Sequence, residues 1–550
     1  MKFEVLDVDA LGRICQIKIN YKKMVTPNLF PVIHPAKNII SPFDLKKMGG
    51  HCLFTNAYII FKNEKLREKV SQKGIHKYLN YDGIIATDSG AFQQYMYHED
   101  YLDIEADSIE KFQENIGSDF PVILDIPVQL EDSYELAKKK VLTTIQRAKE
   151  NIMRRTRSNC SWFGPIHGGK YLELLKESAL EMNKLDFGVY AIGGIVKAFL
   201  DYRFDLTTQM LLTTKKYIIP NKPIHMFGLG LPQYFSLAVA CGCDLMDSAA
   251  YALYAKENRY FTLSTGTKKL DELEEFPCHC PICSDFSPNE IRKFEDNLRI
   301  ELLAKHNLYV SFSELKTIRQ AIREGNLWEL VEQRVRTHPN LVKALDIIKL
   351  DKPFFEIYEK MYKRHGRLYA SEESVDRPLI YRYEKRLLEN YRPPRNVNFL
   401  IILPELDVKG MTSPSISNWV KEIRENNVVP IIDIHLAFYS IIHGIIPYEL
   451  IESFPMGQYE TSAIFSIKNS IYQNSLTNSE NYIEKFSNNY KKCALLIPDD
   501  FINQFKEFEK FPKNHPIYDL FDLLNKKYGD YVSKFRTIAE FTRSFKEGKK

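Results

Sequence analysis

The sequence predicts an α/β protein: a (β/α)8 TIM-like barrel with a cysteine-rich insert, followed by a smaller α/β domain. Two observations carry this. Short apolar runs alternate with longer amphipathic stretches from Thr26 to Ala249, which means a parallel sheet. Polar and glycine residues also follow most of those runs, and barrel enzymes gather their chemistry at the carboxyl ends of many strands, whereas a doubly wound sheet uses one switch point.

The expected strands are Thr26–His34, His51–Ile60, Gly83–Thr87, Pro121–Asp125, Ser161–His167, Gly188–Gly193, Pro223–Gly228 and Leu245–Asp247. Near-continuous apolar runs suit parallel strands covered on both faces. Ser133–Arg154 and Tyr171–Leu185 have helical period. Ser287-Pro288-Asn289-Glu290 reads as a capping box opening a helix from Pro288 to His306. Residues 1–350 form the expected barrel, with the insert at about 275–310. Residues 351–395 form a helical linker region ending in Tyr391-Arg392-Pro393-Pro394-Arg395, and 396–550 form the second α/β domain, with strands at Asn398–Leu403, Val428–Ile432 and Cys493–Ile497. The last 50 residues or so read as helical and lysine-rich.

Composition sets limits. A chain of 550 residues with 44% hydrophobic content holds more than one core. The formal charge of +4 permits a nucleic-acid partner without arguing for one. The start carries acidic residues and no apolar signal region, and no apolar run approaches the roughly 20 residues of a membrane span. Cytoplasmic placement and no membrane association are therefore expected.

The sharpest motif is Cys278-His279-Cys280-Pro281-Ile282-Cys283, three of nine cysteines in one tight loop. Cys278, Cys280, Cys283 and His306 make a closed Cys3His set, the kind that holds one structural Zn²⁺. His279 competes for the fourth place, but its backbone is committed to the knuckle turn. The insert is thus expected to bind zinc.

Asp88, Asp125 and Asp247 each follow or end an apolar run. A lone strand-end aspartate is often only a helix cap or turn former, but three on different strands of one barrel converge on one mouth. Two carboxylates facing a glycosidic bond can perform a double displacement, one attacking the anomeric carbon and the other handling the proton. A third can accept from the donors on a guanine edge. Phe92 is placed to stack on a base or to fill the core. The glycine pairs Gly168-Gly169 and Gly193-Gly194 allow close backbone approach to a flat ligand. Lys256 and Arg259 follow the Asp247 strand and either reach phosphates or remain solvated surface charge.

These motifs resemble the tRNA-guanine transglycosylase family, in its archaeal branch. The resemblance runs from about Thr26 to Lys349 and more weakly beyond, on Thr26–Pro35, Thr55–Ile60, Thr87–Gln93, Phe227-Gly228-Leu229-Gly230, Asp244–Tyr254 and the cysteine cluster. It implies a zinc-bearing barrel that exchanges the D-loop guanine 15 of tRNA for 7-cyano-7-deazaguanine, the first step towards archaeosine. Asp247 matches the nucleophile and Asp88 the general acid and base, although Asp88 is sometimes given the nucleophile's part. Asp125 matches the base-edge acceptor, Phe92 the stacking ring, and Gly194 and Ile195 the backbone contacts, and Ser89 and His167 are expected with them among the substrate-binding residues. The resemblance further implies a homodimer paired through the zinc region.

Two departures stand out. His167 replaces the usual glutamine before the Gly-Gly pair, and is expected to donate one hydrogen bond to a base carbonyl. No compact β-rich module of the PUA type is recognised near the C-terminus, so a separate PUA-domain protein is expected to supply tRNA grip. The alternatives are an archaeosine synthase-like paralogue and a non-catalytic tRNA-binding subunit, which the intact aspartates argue against, and a queuine-type enzyme acting on an anticodon, which the long C-terminal extension does not fit.

Overall fold

The computed structural model describes residues 1–91, 104–157, 159–263, 266–406, 411, 413–426, 429–461, 469–498 and 516–547. The chain packs as two units, one of Met1–Asp351 with Tyr358–Lys360, the other of Lys352–Ile357 with Met361–Lys550.

The first unit opens with three antiparallel strands that lie ahead of the first expected one: β1 (Lys2–Asp9), β2 (Gly12–Ile19) and β3 (Lys22–Val25). Arg13 of β2 anchors them, its Nε and Nη2 donating to Asp244 at 2.7 and 2.8 Å. Eight parallel strands follow: β4 (Asn28–Pro31), β5 (Cys52–Asn56), β6 (Ile84–Asp88), β7 (Phe120–Pro121), β8 (Phe163–Ile166), β9 (Val189–Ile192), β10 (Ile224–Met226) and β11 (Leu245–Ser248). They form two sheets, β5-β6-β7 and β4-β11-β10-β9-β8. Parallel bridges Val32–Phe54 and Val122–Phe163 lie where the two sheets meet. Six of these strands are shorter than the expected runs, β6 matches Gly83–Thr87 in length but is shifted by one residue, and β11 extends one residue past Leu245–Asp247. Phe30, Phe54, Phe120, Phe163, Val189 and Leu245 cluster as the core between the strands.

Helices return the chain between strands, as parallel pairing requires. Tyr134–Arg154 is capped by Ser133, whose Oγ accepts the Leu136 N–H, and Leu172–Asn183 follows β8. The expected strand His51–Ile60 is half helix. It stops at Asn56, whose side chain accepts the Ile59 N–H at 2.8 Å and caps the helix Ala57–Lys62.

The expected helix from Pro288 to His306 is two helices. The Ser287–Glu290 capping box starts Pro288–Lys293, and extended backbone at Phe294 and Glu295 separates it from the 29-residue helix Asp296–Glu324.

The second unit holds a five-stranded sheet in the order Gly444–Pro447, Ile434–Ser440, Phe399–Pro404, Lys492–Leu496, Val532–Phe535, parallel except for the first pair. Val428 of the strand expected at Val428–Ile432 lies outside the described residues, and the strand found in this region is Ile434–Ser440. Ile431 and Ile432 are exposed in a 3-10 turn after Pro430, while every residue of Ile434–Ser440 is buried. Proline cannot donate to a ladder, so pairing begins beyond it. The C-terminal stretch is also not all helix, since Val532–Phe535 pairs as a strand between the helices Pro516–Tyr528 and Ile538–Glu547. No helix among the described residues is long and apolar enough to cross a membrane.

Candidate functional site

Parallel register brings like ends of strands together, and Asn56 of β5 pairs directly with Asp88 of β6. The carboxyl ends of the strands surround a cavity of about 540 Å³ whose lining includes Asp88, Asp125, His167, Gly194, Phe227 and Asp247. That volume lies within the usual range for small-ligand sites.

Asp88 ends β6 and is partly buried. Its Oδ2 accepts from Asn56 Nδ2 at 2.9 Å. Burial, then the charge of Asp125 and that of Asp247, push its carboxyl up to about 7, against the lowering effect of the Gly90 and Ser89 N–H groups. A carboxyl poised there exists in both protonation states at neutral pH and can give or take a proton.

Asp125 follows β7 and is bound by His167, with Nε2 to Oδ2 at 2.5 Å. A carboxylate only accepts, so the imidazole donates. His167 Nδ1 is buried and has no protein partner among the described residues. The imidazole therefore commits its donor to Asp125 and not, as the sequence suggested, to a base carbonyl. Gly193 is required beside it, because a Cβ there would stand 2.3 Å from the ring. Gly194 has φ of +75° and lies on the cavity wall.

Asp247 lies within β11. Its Oδ1 accepts from His225 Nε2 at 2.7 Å and from the Gly228 N–H at 3.2 Å. Asp244, three residues earlier, is a different kind of residue, wholly buried and bound to Arg13 and to the Ile224 N–H.

Some expectations need correction. Ser89 is fully buried outside the lining, and its Oγ donates to the Ile123 carbonyl at 2.9 Å, which steadies the segment leading to Asp125. Ile195 is likewise fully buried behind the wall. Arg259 is held by its own hairpin, with Nε on Thr267 Oγ1 at 2.9 Å and its guanidinium over Tyr254. Lys256 does line the cavity, together with Lys37, and neither has an ion-pair partner among the described residues. Phe92 lies outside the described residues. Asn56 and His225 were not singled out from the sequence; the signal for His225 was a lone histidine inside an apolar strand run.

Cys278, Cys280, Cys283 and His306 bring their ligand atoms within 4.8 Å of one another. His279 is not among them. His306 comes from the long helix, its Nδ1 3.4 Å from Cys280 Sγ and 3.3 Å from Cys283 Sγ. Its Nε2 lies 3.0 Å from the Phe261 carbonyl. That bond fixes the tautomer and turns the Nδ1 lone pair toward the thiols, the outer support expected of a histidine that binds metal. Tyr260 stacks on the imidazole at 3.6 Å between centroids. The donor set fits a tetrahedral ion.

The family model described as queuine tRNA-ribosyltransferase matches residues 8–340. The chain is 37% identical over 518 residues to the tRNA-guanine(15) transglycosylase of Methanocaldococcus jannaschii, covering 93% of this chain and 76% of that protein. It is 37% identical to the protein of the same description from Methanococcus vannielii, covering 90% and 77%. The Pyrococcus furiosus relative is 41% identical over 387 residues, 70% of this chain and 65% of that protein. With the family model spanning the aspartates and the cysteine cluster, and relatives at 37% identity covering most of the chain, the chain belongs to the tRNA-guanine transglycosylase family and is an enzyme of that activity.

Proposed function

We propose that this enzyme replaces guanine 15 of tRNA with 7-cyano-7-deazaguanine, as the first step towards archaeosine, through a ribosyl ester on Asp247. The observation that carries the reading is the convergence of Asp88, Asp125 and Asp247 on one cavity, with Asp88 poised near 7. The choice of position 15 draws on the description that the relatives share.

The scaffold under this reading is one closed (β/α)8 barrel. Eight parallel strands in succession support it, as do the bridges Val32–Phe54 and Val122–Phe163 between the sheets. The target nucleotide leaves its stack to enter the cavity. Asp247 attacks C1′ as the bond to guanine N9 breaks, through an oxocarbenium-like transition state. The electron pair goes to the departing base, which takes a proton from Asp88. The incoming base then bonds to C1′ through N9 and gives its N9 proton to Asp88, while the ester electrons return to Asp247. Asp125, held by His167, accepts from the N–H donors of the base edge. Gly194 brings backbone close to the base, and Phe92 is the stacking ring.

Cys278, Cys280, Cys283 and His306 would hold one Zn²⁺, which ties the insert to the helix Asp296–Glu324 and takes no part in the exchange. That tether is structural chemistry.

Exchange of radiolabelled guanine into tRNA tests the reading. Wild-type exchange, no exchange with Asp247→Asn, and a trapped protein–RNA adduct mapping to Asp247 are expected. Failure of the wild type to exchange, or an adduct on Asp88, would overturn it.

A further inference from the structure

Histidine is a costly residue to bury among phenylalanines, and His225 is wholly buried there. Its ring centroid lies 5.0 Å from that of Phe227, 5.1 Å from Phe163, 6.0 Å from Phe30 and 6.2 Å from Phe54. A polar ring in such a setting needs hydrogen bonds to offset its lost hydration. It has one, from Nε2 to Asp247 Oδ1 at 2.7 Å, while Nδ1 is buried with no protein partner among the described residues. The carboxylate can only accept, so Nε2 carries the proton. A proton on Nδ1 as well would leave a buried donor unmet, so the tautomer protonated at Nε2 is the one that fits.

The Gly228 N–H meets the same oxygen at 3.2 Å. Two donors therefore converge on Oδ1, and Oδ2 is left without a hydrogen-bond partner among the described residues. This asymmetry has a chemical consequence if Asp247 is the nucleophile. Oδ2 attacks C1′, and Oδ1 becomes the carbonyl oxygen of the ester. When the ester is resolved, the C1′–Oδ2 bond breaks and its electron pair returns to the carboxylate, where the charge is shared with Oδ1. Donors already in place stabilise charge as it develops, without reorganisation.

We infer that His225 is a positioning residue that, with the Gly228 amide, clamps Asp247 Oδ1, selects Oδ2 as the attacking oxygen and speeds the departure of the carboxylate in the second half of the exchange. This rests on the reading of Asp247 as nucleophile. The same bonds temper the carboxylate in the first half, so losing them slows resolution more than attack.

The experiment uses the full chain with tRNA, and compares wild type with His225→Phe, His225→Met and His225→Gln. Phenylalanine keeps a ring of similar shape but has no donor, methionine is a flexible donor-free filler, and the glutamine amide can donate. For the two donor-free variants, kcat is expected to fall about 10- to 100-fold, the range for loss of a preorganised donor to a charged group. KM for tRNA should stay within about twofold, and the covalent adduct should accumulate during turnover. Glutamine should restore much of the rate and lower the adduct again. If whichever donor-free variant folds resolves its adduct at the wild-type rate, the inference is wrong. It is equally wrong if kcat falls with no rise in adduct, or if glutamine does no better than phenylalanine. Mapping the wild-type adduct separates the two ideas: an adduct on Asp88 overturns the underlying reading, whereas an Asp247 adduct with unchanged resolution in the donor-free variants overturns the clamp alone.

Discussion

Asp125 Oδ2 stands 2.5 Å from His167 Nε2, on the wall of the cavity that Asp88 and Asp247 also line. The bond holds the Asp125 carboxylate in one orientation while leaving acceptor capacity for a ligand. His167→Ala is expected to raise KM for the incoming base about tenfold, the cost of losing a charge-assisted bond, with kcat changed less. Gly193→Ala should reproduce the defect, because its Cβ would drive into the His167 ring. Wild-type KM values in both variants would refute the role.

In the mechanism proposed above, Asp88 is the group that sets the pH dependence of the exchange. Its carboxyl, pushed up to about 7, must be protonated to donate to the departing guanine. Single-turnover adduct formation should decline as pH rises through about 7, and Asp88→Asn should be slow throughout with no such limb. The same group affects stability in a defined direction. With its folded-state value above the ordinary carboxyl value, the unfolded chain holds fewer protons between about pH 4 and 7, so rising pH destabilises the folded state across that window. Asp88→Asn should raise Tm at pH 8, by an amount worth at most about 4 kcal/mol, and the advantage should shrink towards pH 4. A constant difference in Tm across this range would contradict the assignment.

Lys37 and Lys256 line the cavity without ion-pair partners among the described residues, and under the proposed function each is expected to meet an RNA phosphate. Replacing either with alanine should raise KM for tRNA severalfold, with kcat unchanged. Each change should also reduce the slope of log affinity against log salt by about one. Identical salt slopes for wild type and both variants would remove these lysines from the RNA path.

His306 joins the long helix to the cysteine loop. His306→Ala or Cys280→Ser should yield protein with less than one bound zinc per chain and a lower Tm, because binding of a structural metal contributes directly to folding free energy. Chelator treatment should lower the wild-type Tm in the same way. Metal analysis and thermal melts decide it, and a metal-free wild type with an unchanged Tm is the contrary result.

Arg13 and Asp244 form a buried pair with side-chain exposures of 7% and 0%. Removing one partner strands a buried charge, so Asp244→Asn or Arg13→Met should cost about 3–5 kcal/mol in denaturant unfolding. Below the melting transition the exchange activity should persist, unlike that of Asp247→Asn. Loss of exchange in folded Asp244→Asn would place this residue with the chemistry instead.

The alternation of apolar runs located all eight parallel strands of the first unit within a few residues, because a strand covered on both faces leaves a continuous apolar signature. The cysteine spacing and the capping box were equally readable, since both are local chemistry. Where local signals conflicted, only tertiary packing resolved them. Asn56 ends an apolar run that looked like one strand because its side chain caps a helix and also reaches Asp88. Ser89 sits beside Asp88 in sequence yet turns away to Ile123. The difference between Asp244 and Asp247 could not be read from a run in which both are strand-associated aspartates. It arises because Arg13, 231 positions away from Asp244, closes around one, while the open cavity and His225 face the other. Sequence determined which residue types were available at the strand ends. Their partners, Arg13 for Asp244, Asn56 for Asp88 and His225 for Asp247, were decided by contacts that no local stretch of sequence displays.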